Sequence, residues 1–119
     1  MQCENLDVWK RSCRMSVEVY KSFSGCKDFG FKDQITRSSL SIASNIAEGL
    51  EKDSVREKIR FIEIARGSTA ELITQIYIGI EIGYIEKPTG FSWVKEANEI
   101  SRMLHGLKKV YLSKQENGK

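Results

Sequence analysis

Between Ser41 and Gly49, two isoleucines one helical turn apart, Ile42 and Ile46, are set among serine, alanine, asparagine and glycine. At 3.6 residues per turn they share a stripe with Ile35, while Leu40, Ala43, Ala47 and Leu50 make a second. Arg37, Ser41, Ser44, Asn45 and Glu48 fall on the remaining side as a polar seam. Side chains this small let neighbouring backbones approach closely, because interaxial distance follows the bulk at the contact. The run therefore predicts a buried, architectural helix, with no chemistry implied by it.

The rest of the chain repeats the helical period. A single proline, Pro88, leaves room for long helices. Helix one is expected over about 5–22, with Leu6, Trp9, Cys13, Val17 and Tyr20 as its apolar stripe. The glycines of Ser24-Gly-Cys-Lys-Asp-Phe-Gly30 break that pattern and make a joint. Helix two is expected over 31–48, ended by Gly49 in a positive-φ conformation. Ser54-x-x-Glu57 reads as a capping box opening helix three, 54–83, whose core arc holds Phe61, Ile62, Ala65, Thr69, Leu72, Ile73, Ile76 and Ile80. Pro88-Thr-Gly90 is expected as the last joint, before helix four over 90–112. There Trp93, Ala97, Ile100, Leu104, Leu107 and Tyr111 alternate steps of four and three, the seam of an antiparallel bundle. The expected fold is all-α, an up-and-down four-helix bundle, as one domain over 1–119. A chain of 119 residues can bury about two-thirds of its unfolded surface without staples.

Ser41-Ile-x-x-Asn-Ile-Ala-Glu-Gly49 resembles the signature of the bacterial four-helix bundle proteins encoded within intervening sequences of 23S ribosomal RNA genes. The resemblance continues through Arg60-Phe-Ile-x-Ile-Ala-Arg-Gly-Ser68, Glu71-Leu72, Gln75 and Gly83-Tyr-Ile85, and upstream through Leu6-x-Val-Trp-Lys10 and Val19-Tyr20. The turn Phe23-Ser-Gly-Cys26 lacks the family's usual proline, and Ala43 replaces another. The chain is similar also to the accessory proteins of diversity-generating retroelements. Those are rings of the same bundle, more basic than this chain, working beside a reverse transcriptase on RNA and DNA.

On helix three, Ile64, Ile78 and Ile82 point away from the core arc, beside Glu71 and Gln75. Three isoleucines on a far face suggest a buried subunit contact, so a homo-oligomer is expected. The resemblance makes it a ring of five.

Little in the chain suggests catalysis. His105 is the only histidine, and the Glu-x-x-His pairs of di-iron bundles are missing. Arg102-x-x-His105 is too short for the spacing of helical toxin ribonucleases, and a lone histidine offers no acid–base pair. Cys3, Cys13 and Cys26 contain no C-x-x-C, so they are read as reduced thiols rather than a disulfide or zinc framework. Gly79 and Gly83 belong to a helix and its end, not to a phosphate loop. The chain is expected to be no enzyme and to need no cofactor or metal. With no apolar stretch of signal-peptide or membrane-span length, it is expected in the cytoplasm, without a membrane partner.

A net charge of +3 suits an anionic partner without demanding one. The cations proposed for phosphate are Lys10, Arg11 and Arg14 on helix one, Arg56 and Arg60 on helix three, and Lys108 and Lys109 on helix four. In a ring these patches repeat and become multivalent. Arg37, Asn45 and Glu48, with Arg66, Glu71 and Gln75, form a polar seam that is either a recognition pocket or a register-fixing network. The expected function is an oligomeric, non-catalytic scaffold binding structured RNA, or DNA. The alternative is an adaptor for a protein partner such as a reverse transcriptase.

Overall fold

A computed structural model describes residues 6–117. Its helices are α1 (Asp7–Ser22), α2 (Phe29–Leu50), α3 (Val55–Glu81) and α4 (Lys87–Asn117), with no strand among the described residues. Each helix packs on the next and α4 returns to α1, and no diagonal pair of helices comes into close backbone approach among the described residues. Short loops between sequential neighbours make this an up-and-down four-helix bundle. It measures 52 × 22 × 21 Å. No helix among the described residues is long and apolar enough to cross a membrane.

The core is the sum of four stripes. Ile35, Ile42 and Ile46 of α2 meet Ile62, Leu72 and Ile76 of α3, and Trp93, Ala97, Ile100 and Leu104 of α4 close over them, all buried. The seams expected on helices two, three and four are those that pack, except that Leu40, expected on the second stripe of helix two, is 58% exposed because it turns towards the outer side of α2.

Helix one differs. Its buried stripe is Val8, Ser12, Met15 and Val19, leading to Phe23. Val17 and Tyr20, expected inside, are 51% and 64% exposed. The buried serine hides the true stripe from an apolar count: Ser12 satisfies its hydroxyl by donating to Val8 O at 2.7 Å and needs no polar neighbour. Ser16 and Ser39 then let α1 and α2 approach, their hydroxyls 3.5 Å apart.

The ends also move. The expected start at Asn5 lies outside the described residues, as does Cys3. Helix α2 begins two residues earlier than expected because Asp28 caps it, accepting from the Phe31 amide at 3.1 Å. Gly49 does not end it. It lies buried within α2, and a Cβ built there would sit 2.8 Å from Phe61 Cβ. The positive-φ glycine is Gly83, at φ 85°, following α3 while the Tyr84 and Ile85 amides bond back to Gly79 O. Ser54 caps α3 as expected, accepting from the Glu57 amide. Pro88 and Gly90 are not a joint but the first turn of α4, where a missing amide hydrogen is harmless. Gly90 is buried against the Ile80 side chain. Helix α4 runs past Leu112 to Asn117.

Candidate nucleic-acid interface

On α1 the cations do not share one fate. Lys10 and Arg14 are exposed. Arg11 instead turns onto α4 and grips both oxygens of Glu96 with one edge of its guanidinium, Nε to Oε2 at 2.8 Å and Nη2 to Oε1 at 2.5 Å. The same Nη2 also donates to Glu99 Oε2. Glu96 and Glu99 are three residues apart on one helix face, so a single fork reaches both. The hydrogen bond from Arg11 holds the Glu96 carboxyl below the ordinary range, and the two carboxylates raise the guanidinium pKa further. Arg11 is thus a clamp between helices and is withdrawn from the proposed phosphate set.

The middle group is diluted. Arg56 is exposed, and Arg60 lies 3.5 Å from Glu57 and stacks over Phe61. Towards the end of α4, Lys108 bonds Glu63 at 3.1 Å, and Arg66 bonds the same oxygen at 3.0 Å. Burial pushes the Glu63 carboxyl up, but Lys108 and Arg66 together bring it below the usual value. Two cations on one carboxylate leave a net positive charge there. Lys109 is exposed.

The polar seam divides. Asn45 donates to Ser41 O and Oγ at 2.8 and 2.9 Å, and Ser41 Oγ meets Ser68 Oγ at 2.8 Å. Ser38 donates to Glu71 Oε1 at 3.0 Å, and Gln75 Nε2 reaches the same oxygen at 3.4 Å. Of these, Ser41–Ser68 and Ser38–Glu71 link α2 to α3, while the Asn45 and Gln75 bonds stay within their own helices. Arg37 is outside them, paired with Asp33 one turn away, and Glu48 is exposed. Arg66 faces α4. Ile64, Ile78 and Ile82 are 40%, 47% and 50% exposed on the outer side of α3.

What the sequence reading passed over is the outward stripe of α4. Phe91, Lys95, Asn98, Arg102, His105 and Lys109 follow steps of four and three, and all are exposed. No carboxylate interrupts them. Arg66, Ser101, Arg102, His105, Gly106 and Lys109 line a shallow groove between α3 and α4. The Arg66 Nε–H is buried there without a hydrogen-bond partner among the described residues. The same alternation that marks the core face was the available signal.

Residues 4–106 match the family described as 23S rRNA-intervening sequence protein. The chain belongs to that family. No curated protein matches it. Among solved structures, it is similar to a protein of unknown function from the S23 ribosomal protein family of Bacteroides thetaiotaomicron VPI-5482. The TM-score is 0.80 at 27% identity, covering 86% of this chain and 98% of that one. The family membership and the four-helix architecture agree, while neither states a biochemical activity.

Proposed function

We propose that this 23S rRNA-intervening sequence family protein is a non-catalytic, oligomeric scaffold of the cytoplasm that binds nucleic acid, structured RNA foremost, through cationic helix surfaces. One observation carries the reading, namely segregation of charge on α4. Among its acids, Glu96 and Glu99 are turned to α1 and held by Arg11, while Lys95, Arg102 and Lys109 stand exposed along the outward stripe. A chain of modest net charge, +3, thus sets three exposed cations along one stripe of α4. Assembly through the outer side of α3, at Ile64, Ile78 and Ile82, would repeat that face once per subunit, as a ring of five on the family resemblance.

Fluorescence anisotropy with a structured RNA and a DNA duplex over a salt series tests it. The expected result is binding whose affinity falls linearly in log–log coordinates with salt, because phosphate neutralisation releases counterions. Absence of binding at low salt would overturn it. A protein-adaptor role would then lead, favoured by a second apolar surface where Val17, Tyr20 and Leu40 line a groove between α1 and α2.

A further inference from the structure

Gly90 of α4 abuts Ile80 of α3, and Lys108 bonds Glu63 nearer the other end. These contacts fix an antiparallel register that puts Arg66 level with His105, and Tyr77 level with Trp93. Arg66 and Tyr77 are eleven residues apart, three helical turns, and so occupy the same rim of α3. Opposite them runs the outward stripe of α4, from Phe91 to Lys109, about 27 Å long at 1.5 Å per residue. Followed along the α3–α4 seam beyond the groove at Arg66, the surface therefore has two different ends. One is cationic, with Arg66, Arg102 and Lys109. The other is aromatic, with Tyr77 48% and Phe91 52% exposed.

Neither aromatic helps the core, and a solvent-facing ring gains nothing there unless something flat covers it. Glu81 lies at the aromatic end, so phosphates are directed to the cationic one. Two further details fit a chain-like ligand. Gly106 sits inside α4, where glycine is unfavourable, and nothing lies within 4 Å of a Cβ built on it. No packing contact requires it. It lines the groove beside Arg102 and leaves backbone open where a ligand backbone can come close. Arg66 also brings a buried N–H with no acceptor among the described residues.

We infer that this groove seats a single-stranded polynucleotide, with phosphates on Arg66, Arg102 and Lys109 and bases stacked on Tyr77 and Phe91. The inference rests on the nucleic-acid reading above and narrows it to an unpaired stretch. A regular duplex keeps its bases stacked on one another and cannot cover isolated rings, whereas an unpaired strand offers both phosphates and base faces. His105 adds a further ring within the cationic end, beside Arg66 and Arg102.

The test is anisotropy with fluorescent oligouridylate, oligothymidylate and an RNA duplex of equal length, using the full-length protein. Wild type is expected to prefer both single strands to the duplex. Tyr77→Ala with Phe91→Ala should weaken single-strand binding roughly tenfold or more and leave duplex binding alone. Arg102→Gln with Lys109→Gln should lower the salt slope for single strands by about 1.4, at about 0.7 per phosphate contact. Lys21→Gln with Lys27→Gln removes the same charge elsewhere and should leave the slope unchanged. Circular dichroism checks that each variant keeps its helicity.

The outcomes separate the two readings. If wild type binds but both groove variants bind equally well, the groove assignment fails while the scaffold reading stands. Equal affinity for duplex and single strands, indifferent to Tyr77 and Phe91, overturns the single-strand assignment. Binding to none of the three probes overturns both readings. A preference between oligouridylate and oligothymidylate supports the groove and identifies RNA or DNA as its source.

Discussion

The close approach of α2 to α3 at Gly49 gives the sharpest test of the packing. A Cβ built on Gly49 lies 2.8 Å from Phe61 Cβ and 3.4 Å from Lys58 O. Carbon atoms in good contact sit about 3.5–4.0 Å apart, so Gly49→Ala leaves a shortfall of at least about 0.7 Å. Both carbons are fixed to backbone, and no rotamer change can relieve the contact. The helices must separate where Lys58 Nζ also ties α3 to Leu50 O at 2.9 Å. Overpacking of this kind typically destabilises by about 1–3 kcal/mol. Alanine's better helix propensity offsets at most about 1 kcal/mol, and less one residue from the helix end. The expected net loss is about 1–2 kcal/mol, a fall in Tm of roughly 3–10 °C for a domain of this size. Urea and thermal unfolding followed by far-UV circular dichroism at one protein concentration measure it. A Gly49→Ala midpoint equal to or above wild type would refute the claim that Gly49 is there for the approach of Phe61.

Gly106→Ala should do the opposite, raising stability by about 0.5–1 kcal/mol, because the helix gains propensity and the new methyl meets nothing; a loss in urea midpoint would contradict the open space. Arg11→Gln should cost about 1 kcal/mol at neutral pH by leaving Glu96 and Glu99 facing each other. Because Arg11 depresses the folded Glu96 pKa, the contribution is present above the unfolded value of about 4.3 and is lost as pH falls through it towards the folded value. The gap between wild-type and Arg11→Gln urea midpoints should therefore close below about pH 4, and a gap constant from pH 7 to pH 3 would exclude this linkage. Asp28→Ala should destabilise by about 1 kcal/mol through loss of the α2 cap, more than Tyr84→Phe, which removes only the exposed Tyr84 hydroxyl bond to Asp28 Oδ2 at 2.8 Å; the order of the two unfolding midpoints checks it. Ile78→Glu with Ile82→Glu should lower the mass seen by light scattering while leaving helicity intact. An unchanged oligomer, or a monomeric wild type, would remove the outer face of α3 from the assembly.

Helical content and the core faces of α2, α3 and α4 were legible in the sequence, because a period of 3.6 residues is local information. Trp93, Ala97, Ile100 and Leu104 need no neighbour to be recognised as one stripe. The Ser54 cap was legible for the same reason. In α1 the same reasoning chose the wrong side. Two stripes competed, and burial went to the one holding Ser12, whose hydroxyl is satisfied within its own turn while its small size admits α2. Which of two faces is buried depends on what packs against it, and that is not written in the helix itself.

The candidate site divides in the same way. The outward stripe from Lys95 to Lys109 follows from spacing alone. Where the neighbouring acids turn does not, since it takes Arg11, far back on α1, to hold Glu96 and Glu99 towards α1. Gly49 and Gly83 make the point in miniature. Both stand near a helix end, and sequence assigned the positive φ to Gly49. Only the bundle decides that Gly83 turns the chain while Gly49 makes room for Phe61, because a glycine serves either a dihedral angle or a neighbour, and the neighbour is supplied by tertiary structure.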